Sequence, residues 1–367
     1  MTLPLPFPLA LRALSATVLP LSCALAGATP ALDPAVRERA ELLIRDGRHA
    51  SIVIAVIEGK NSAVYGFGRG NKDALPDADT VYEIGSVTKT FTGLLLAQAV
   101  VANQVKLTQP VADLLPGYQM PAVNGSAITL QDLATHYSGL PRLPDNGAPA
   151  DMNDPYADYG DKQLRAFLAG HVLAHAPGAT FDYSNLGFGL LGTALAAKAG
   201  LSYGGLLQQR IAGPLRMRST SALMTPALRA RLAPGHLADG TRARNWNFQA
   251  IAGAGAVLST PRDMVAYLQS FMLKPDAAHQ LAVQPQHDLG DGKAIGLAWM
   301  RDEANGQAIV WHNGQTGGYA SFAGFTQDGK HGVVVLTNTS ANVDELGVAS
   351  LIQGTLAPLE AAAEQAR

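Results

Sequence analysis

Ser86 and Lys89 are the residues of this chain whose types and spacing are best suited to chemistry. A serine hydroxyl is a weak nucleophile until a neighbouring group takes its proton. If Ser86 begins a helix, Lys89 lies three residues further along the same face, within reach of the hydroxyl. Tyr183 and the basic residue His312 follow later in the chain. Serine, lysine, tyrosine and a basic residue in this order can form an acyl-serine hydrolase that needs no Ser-His-Asp triad.

The sequence around Ser86 supports its place at the start of a helix. Residues 81–85 predict a short strand and a turn, and residues 90–100 carry apolar side chains at helical spacing. The N-terminus of a helix presents free backbone N–H groups, which favour negative charge. The alternative interpretation is that Ser86 is an ordinary N-cap, because serine often fills that position.

Five segments together resemble the serine β-lactamase and penicillin-binding-protein superfamily, and within it the class C β-lactamase-like branch. In chain order they are residues 82–89, 128–141, 181–192, 252–264 and 312–319. The resemblance covers about residues 33–360, in the order and at the spacing of the family. It implies an antiparallel sheet flanked by helices, with an inserted helical lobe.

One of these segments departs from the family pattern. His312 stands where the family has the lysine of its Lys-Thr-Gly strand, and Asn313 replaces the threonine. Relatives with His-x-Gly look more like penicillin-binding D,D-peptidases, D-aminoacyl peptidases and esterases, which puts efficient β-lactam hydrolysis in doubt. Histidine titrates near neutral pH. We therefore predict that a carboxylate anchor at His312 weakens as pH rises, so that the Michaelis constant for anionic substrates increases above neutral pH.

The resemblance also implies a role for each residue of the site. Ser86 is the expected nucleophile, with Lys89 helping to remove its proton. Tyr183 is the expected partner base and the acid for the leaving nitrogen, and it would need cationic neighbours to act as a phenolate near pH 7. The backbone N–H groups of Ser86 and Gln315 are expected to form the oxyanion hole.

Further residues are expected to bind the substrate. On an extended segment Asn185 shares a face with Tyr183, so its amide can hold Lys89 and the substrate, while a helix cap is the alternative. The other expected substrate-binding residues are His312, Asn313, Gly314 and Gln315, and Gly314 lets the substrate approach the strand.

Three smaller expectations concern residues outside these motifs. We expect His136 to be a structural residue, and Trp246 and Phe248 to line the substrate pocket or simply to pack. Either Arg142 or Asn146 is expected to be a polar contact of the substrate.

The order of predicted elements indicates an α/β (α+β) fold. A capped helix follows Asp33-Pro34, and residues 51–57 form a continuous apolar run that is typical of a buried strand. A second strand is expected before residue 70, a mainly helical stretch over 82–235, strands at 295–300, 308–311, 319–325 and 332–338, and a helix over 343–356. The sheet then comes from about residues 50–70 and 295–338, and the helical lobe spans about residues 90–245.

Composition favours a globular enzyme. The 367 residues are 47% hydrophobic and 15% charged, which supplies a large core and argues against disorder. The formal net charge of −2 gives no electrostatic reason to expect a nucleic-acid partner. His171 and His175 share a helical spacing, but no third ligand is evident, so neither a metal nor another cofactor is expected.

The N-terminus predicts a secreted protein. Arg12 is the only charged residue before Asp33, residues 13–26 are apolar, and small-x-small cleavage patterns follow. We expect a signal peptide over residues 1–28 and a periplasmic hydrolase domain over 29–367; a membrane anchor or a tail is the alternative. Cys23, the sole cysteine, lies in this segment, and its surroundings match a lipoprotein signal poorly. No later run is long enough for a membrane span.

These observations lead to one expected function and several alternatives. The expected function is a monomeric periplasmic hydrolase of class C β-lactamase type, which cleaves β-lactams through an acyl-Ser86 intermediate. A D-alanyl-D-alanine carboxypeptidase or endopeptidase acting on peptidoglycan is the first alternative. A carboxylesterase and a non-catalytic peptidoglycan-binding or sensor protein are the others. In each enzymatic case the partner is a small-molecule or peptide substrate.

Overall fold

The computed structural model describes residues 29–352. The predicted signal peptide, Cys23 and the end of the predicted last helix lie outside the described residues. Ten strands are present in this part of the chain: β1 (Ser51–Glu58), β2 (Asn61–Gly68), β3 (Tyr82–Glu83), β4 (Leu258–Ser259), β5 (His287–Gly290), β6 (Lys293–Ile295), β7 (Met300–Ala304), β8 (Gln307–Gln315), β9 (Ala320–Thr326) and β10 (His331–Thr337).

Eleven α-helices accompany these strands within residues 29–352: α1 (Pro34–Arg45), α2 (Thr88–Val101), α3 (Leu130–Ala134), α4 (Asp161–Gly170), α5 (Asn185–Ala199), α6 (Tyr203–Leu207), α7 (Pro226–Arg229), α8 (Ala252–Gly255), α9 (Pro261–Met272), α10 (Ala277–Val283) and α11 (Asp344–Ile352). A 3₁₀ turn over Gly85–Val87 leads directly into α2.

The main sheet joins the two ends of the described chain. Its eight strands lie in the order β2-β1-β10-β9-β8-β7-β6-β5, and all neighbours are antiparallel. Strand β1 pairs with β10 in the register Ile54 to Val335. The predicted pairing of N-terminal with C-terminal strands is therefore confirmed, as is the α/β fold with an antiparallel sheet and helices.

Burial on both faces of the sheet explains why the sequence of strand β1 is a continuous apolar run. Its side chains alternate between two hydrophobic clusters. Ile52 and Ile54 pack with α1 and α11 on one face of the sheet, whereas Val53 and Ile57 join the larger core that includes α2, α5 and α9. Helices therefore cover both faces of this strand, so neither face carries a polar row.

The inserted region is helical only in part. Helices α2 and α5 are apolar on nearly all sides and buried for most of their length, as central helices must be. Residues 135–160 between α3 and α4, however, contain no helix or strand. The prediction of a mainly helical stretch was wrong there, because this segment is rich in proline, glycine, asparagine and aspartate, which favour turns.

Two details of the C-terminal strands also differ from the prediction. The strand expected over residues 295–300 is interrupted between β6 and β7, where Ala298 has a φ of +73° and Gly296 N–H bonds to Trp299 O. Strand β5 was not predicted, because its sequence lacks β-branched residues and its side chains are only partly buried.

A search for membrane spans finds no single helix within residues 29–352 that has the length and hydropathy to cross a bilayer. One bent pair, Asn185–Ala199 with Tyr203–Ala212, meets the criteria only when both helices are taken together, across an angle of 74°.

Candidate active site

Three elements meet where the sequence predicted the nucleophile. The 3₁₀ turn Gly85–Val87 carries Ser86, the first residue of α5 is Asn185, and the end of β8 lies against the turn. Gly85 has a φ of +48°, and a Cβ there would lie 2.6 Å from Gln315 N. Glycine is therefore needed at this position, because it alone lets the turn approach β8 so closely.

Lys89 lies at the centre of a small polar network. Its Nζ is 2.9 Å from Ser86 Oγ, 2.8 Å from Asn185 Oδ1 and 2.9 Å from the carbonyl oxygen of Ala254. The side chain is fully buried. Burial, together with the nearby charge of Arg142, holds the pKa of Lys89 well below its ordinary value.

The three contacts of Lys89 suit a neutral amine. A neutral amine has two N–H donors and one lone pair, and the network offers two carbonyl-type oxygens and one hydroxyl. The N–H groups can serve Asn185 and Ala254, and the lone pair can then accept the proton of Ser86. An ammonium would also find three acceptors here, but burial without a carboxylate partner opposes the charge. The spacing that predicted Lys89 as a base is thus matched by its surroundings.

Tyr183 lies beside both residues. Lys89 Nζ is 4.9 Å from the centre of the Tyr183 ring. Burial raises the pKa of Tyr183 to about 12, although a hydrogen bond with Ser86 and the charge of Arg142 act in the opposite direction. The expected phenolate near pH 7 is therefore not supported. We therefore expect Tyr183 to hold its proton at neutral pH and to donate it, which is the other half of its predicted role.

The start of helix α5 sets the position of Asn185 in the site. Ser184 is the N-cap, since its Oγ accepts a hydrogen bond from Gly187 N–H at 2.8 Å. Asn185 is consequently the first helical residue, and the prediction that it lies on an extended segment was wrong. Its predicted contact with Lys89 is present. His136 supports this turn, because its Nδ1 accepts from Ser184 N–H at 3.0 Å and its ring stacks on Tyr183 at 4.3 Å.

The end of β8 lies against the backbone of Ser86. A Cβ on Gly314 would lie 2.2 Å from Ile84 O and 2.8 Å from Ser86 N, so any side chain here would displace the turn. This approach brings the amides of Ser86 and Gln315 onto neighbouring backbone segments. The arrangement suits the predicted oxyanion hole, in which two N–H groups face one substrate oxygen.

His312 lies deeper than the sequence indicated. Its side chain is 3% exposed, and its Nδ1 contacts the carbonyl oxygen of Asn313. Burial, the largest influence, lowers the pKa of His312 to about 3. The imidazole is therefore neutral over the whole range in which the predicted weakening of a carboxylate anchor would occur. We now expect no step in the Michaelis constant from this residue near neutral pH.

A cleft of about 390 Å³ opens above Ser86. Its walls include the predicted Tyr183, Asn185, Asn313, Gly314 and Gln315, together with Arg142 and Trp246. Phe248 lines a smaller recess next to it. Asn146 lies elsewhere, bonded to Gln163 O and Tyr159, so the structure selects Arg142 as the polar residue at the cleft.

Several site features were not predicted. The carbonyl of Ala254 comes from the helix α8, far away in sequence, and only the fold reveals its contact with Lys89. Asp344 and Asn342 also line the cleft, and Asn313 Nδ2 donates to Asp344 Oδ2 at 2.8 Å. The sequence signal for Asp344 is an Asn-x-Asp pattern at the start of a helix, which ordinarily indicates capping.

The two histidines considered for a metal lie apart from the cleft. His171 immediately follows the last residue of α4, and His175 contacts Asp182 through its Nε2. Across the part of the chain that the structure describes, no group of three metal-binding side chains is found.

The chain is similar to several known proteins. The β-lactamase family model matches residues 32–356. The chain is 30% identical over 311 residues to the D-alanyl-D-alanine carboxypeptidase/endopeptidase AmpH of Escherichia coli, covering 79% of each chain. It is 27% identical over 365 residues to a β-lactamase of the same organism, covering 89% of this chain and 93% of that one. A β-lactamase/D-alanine carboxypeptidase from Yersinia pestis has a similar structure, with a TM-score of 0.77 and 25% identity over 87% of this chain and 96% of that chain.

Proposed function

Because this chain belongs to the β-lactamase family of serine hydrolases, we propose that it cleaves amide bonds through an ester formed with Ser86. The observation that carries the proposal is the 2.9 Å contact between Ser86 Oγ and a fully buried Lys89. Such a lysine has a lowered pKa and can act as a base near neutral pH. The Ser86 hydroxyl lines the cleft, where a substrate carbonyl can reach it.

The first half of the reaction forms the acyl-enzyme. Lys89 accepts the proton of Ser86 as Oγ attacks the carbonyl carbon, and the developing oxyanion faces the amides of Ser86 and Gln315. Tyr183 donates its phenol proton to the leaving nitrogen as the amide bond breaks. The ammonium of Lys89 returns a proton to Tyr183, so the site ends with neutral side chains. In the second half, Lys89 takes a proton from water as the water attacks the ester carbonyl, and that proton passes to Ser86 Oγ as the ester bond breaks.

We propose D-alanyl peptides of peptidoglycan as the substrates, with β-lactams as compounds that acylate the same serine. The first support is the relative named as a D-alanyl-D-alanine carboxypeptidase/endopeptidase, which is 30% identical over 79% of this chain. The second is His312 at the position where the family has a lysine, because relatives with His-x-Gly look more like penicillin-binding D,D-peptidases. A periplasmic location is part of the proposal and rests on the N-terminal sequence.

A β-lactamase is the second candidate function. The 27% identity to a curated β-lactamase over nearly the whole chain favours it. The two functions share the acylation step and differ in how rapidly water reaches the acyl-Ser86 ester.

Mass spectrometry of the purified protein mixed with a penicillin tests both candidates. A long-lived adduct on Ser86 supports the peptidase, whereas rapid release of penicilloic acid with little adduct supports the β-lactamase. Peptides ending in D-Ala-D-Ala are then supplied to the wild type and to Ser86→Ala. Absence of any Ser86 adduct, with either a penicillin or an activated ester, would contradict the proposed chemistry.

A further inference from the structure

The wall of the cleft on the β8 side contains a carboxylate. Asp344, the first residue of α11, lines the same cleft as Ser86. Its Oδ2 accepts hydrogen bonds from Asn313 Nδ2 at 2.8 Å and from Asn342 Nδ2 at 3.0 Å. Its Oδ1 has no hydrogen-bond partner within residues 29–352. Two amides therefore hold the carboxylate in place while one oxygen stays available to a ligand.

This carboxylate also lacks a counter-ion. Neither lysine nor arginine forms a salt bridge with Asp344 among the residues that the structure describes. Burial raises the pKa of Asp344, while the hydrogen bonds from Asn313 and Asn342 lower it. A partly desolvated carboxylate without a cation is stabilised when a ligand brings one.

The cleft is lined by one charged side chain of each sign. Arg142 and Asp344 are the charged side chains that line it. Arg142 lies on the α5 side, with its guanidinium 5.0 Å from the centre of the Tyr183 ring. Asp344 lies on the β8 side, next to Asn313. The β8 side is therefore acidic, although the family pattern led us to expect a positive anchor for a substrate carboxylate at His312.

We propose that Asp344 selects the charge of the substrate on the leaving-group side of the scissile amide, favouring an ammonium over a terminal carboxylate. This inference rests on the proposed function and narrows its substrate class. In a peptide cut by a carboxypeptidase, the leaving residue carries the terminal carboxylate. Asp344 repels such a group, so the site prefers an internal bond whose leaving part is cationic or neutral.

A matched series of substrates tests this selection. Acyl-D-Ala-D-Ala is prepared with a C-terminal carboxylate, a methylamide or a 2-aminoethylamide, so that one scissile bond is kept while the charge changes. We expect kcat/KM to be about tenfold higher for the ammonium than for the carboxylate peptide, since one charge pair in a partly screened cleft has about this effect. Salt should reduce the ratio, because mobile ions screen the pair.

Two variants locate the effect. Asp344→Asn keeps a hydrogen-bond acceptor but removes the charge, and it should bring the ratio of ammonium to carboxylate peptide close to one. Asp291→Asn is the matched control: Asp291 is exposed and does not line the cleft, and its replacement changes the net charge equally. The control should keep the wild-type ratio.

The outcomes separate the two proposals. If a penicillin does not label Ser86 in the wild type, the proposed function itself fails. If Ser86 is labelled but the peptides are not cleaved, we measure how well each peptide slows the labelling by a penicillin. The peptides should then rank in the same order as expected for kcat/KM. The role of Asp344 would be overturned if the three peptides were cleaved, or competed, equally well in the wild type. It would also be overturned if Asp344→Asn kept the wild-type ratio. Should that variant not fold, the wild-type ranking and its salt dependence decide.

Discussion

The two sides of the cleft are built on different principles. On the helical side, Lys89 and Asn185 come from the N-terminal turns of α2 and α5, and their polar atoms bond one another in the interior. On the strand side, His312 is buried and neutral, and Asp344 presents an uncompensated charge to the cleft. The helical side follows the family pattern, whereas the strand side departs from it. Chemistry is therefore expected to depend on the first side and substrate choice on the second.

Replacing Lys89 should give the largest effect on activity. Lys89→Met keeps the length of the side chain but removes the base and leaves Asn185 Oδ1 and Ala254 O without their donor. We expect acylation of Ser86 by a penicillin to slow by about 10²–10⁴-fold, the usual contribution of a positioned general base. The rate is followed by mass spectrometry, and circular dichroism checks the fold.

Lys60→Met is the matched control, because Lys60 is an exposed lysine in the turn between β1 and β2 and does not line the cleft. Acylation in the Lys89 variant at a rate within tenfold of the wild type would mean that another group removes the proton, and the helical side would lose its assigned role.

Removing the phenol of Tyr183 should give the next largest effect, and only on some substrates. A neutral phenol serves as a proton donor to a leaving nitrogen, whereas a nitrophenolate leaves without a proton. We expect Tyr183→Phe to lower kcat/KM for a D-alanyl peptide by about 10²–10³-fold, and for acylation by a nitrophenyl ester by less than about tenfold.

Tyr156→Phe is the control, since Tyr156 also lines the cleft and loses the same hydroxyl. Equal losses on the peptide and on the ester would show that Tyr183 acts mainly on Ser86 rather than on the leaving group.

The contact between the two sides is tested at Gly314. In Gly314→Ala the new Cβ would press on Ile84 O and Ser86 N, which displaces one donor of the proposed oxyanion hole. Loss of such a donor ordinarily costs about 10²-fold in kcat. Gly170→Ala is the control, because a Cβ at Gly170, the last residue of α4, meets no atom within 4 Å.

Burst kinetics with a nitrophenyl ester measure the effect in both glycine variants. If Gly314→Ala acylates at the wild-type rate, the oxyanion is held elsewhere, and the two sides of the cleft are less dependent on each other than their packing indicates.

The helical side was also the easier side to predict. The contact between Ser86 and Lys89 is local, because three residues span less than one helical turn, and local geometry follows directly from sequence. The state of His312 depends on how deeply β8 is buried, and no neighbouring residue type reveals that. Asp344 resembles an ordinary helix-capping residue until the fold places it beside Asn313. The expected strand pairing was correct because the resemblance supplied it, not the apolar pattern alone.

The smallest expected effect concerns stability and uses two buried titratable groups, one before the Ser86 turn and one on β8. Glu83 lies just before the Ser86 turn, and its Oε1 accepts from Asn245 Nδ2 at 2.8 Å and from Trp246 N–H at 3.2 Å. Burial, its largest influence, raises the pKa of Glu83 to about 7. Burial lowers the pKa of His312 to about 3. Folding therefore strengthens proton binding by Glu83 and weakens proton binding by His312.

The sign of each contribution follows from these pKa values. Between about pH 4.5 and 7 the folded state holds a proton on Glu83 that the unfolded state has lost, so this contribution to stability is lost as pH rises. Between about pH 6.5 and 3 the unfolded state protonates His312 and the folded state does not, so the contribution of His312 to stability is lost as pH falls.

Relative to wild type, the unfolding free energy of Glu83→Gln should rise with pH over 5–6.5 by at most about 1.4 kcal/mol per pH unit. The unfolding free energy of His312→Gln, again relative to wild type, should fall with pH over the same range. Urea denaturation at several pH values measures both slopes, and slopes of the same sign would show that burial does not govern one of the two groups.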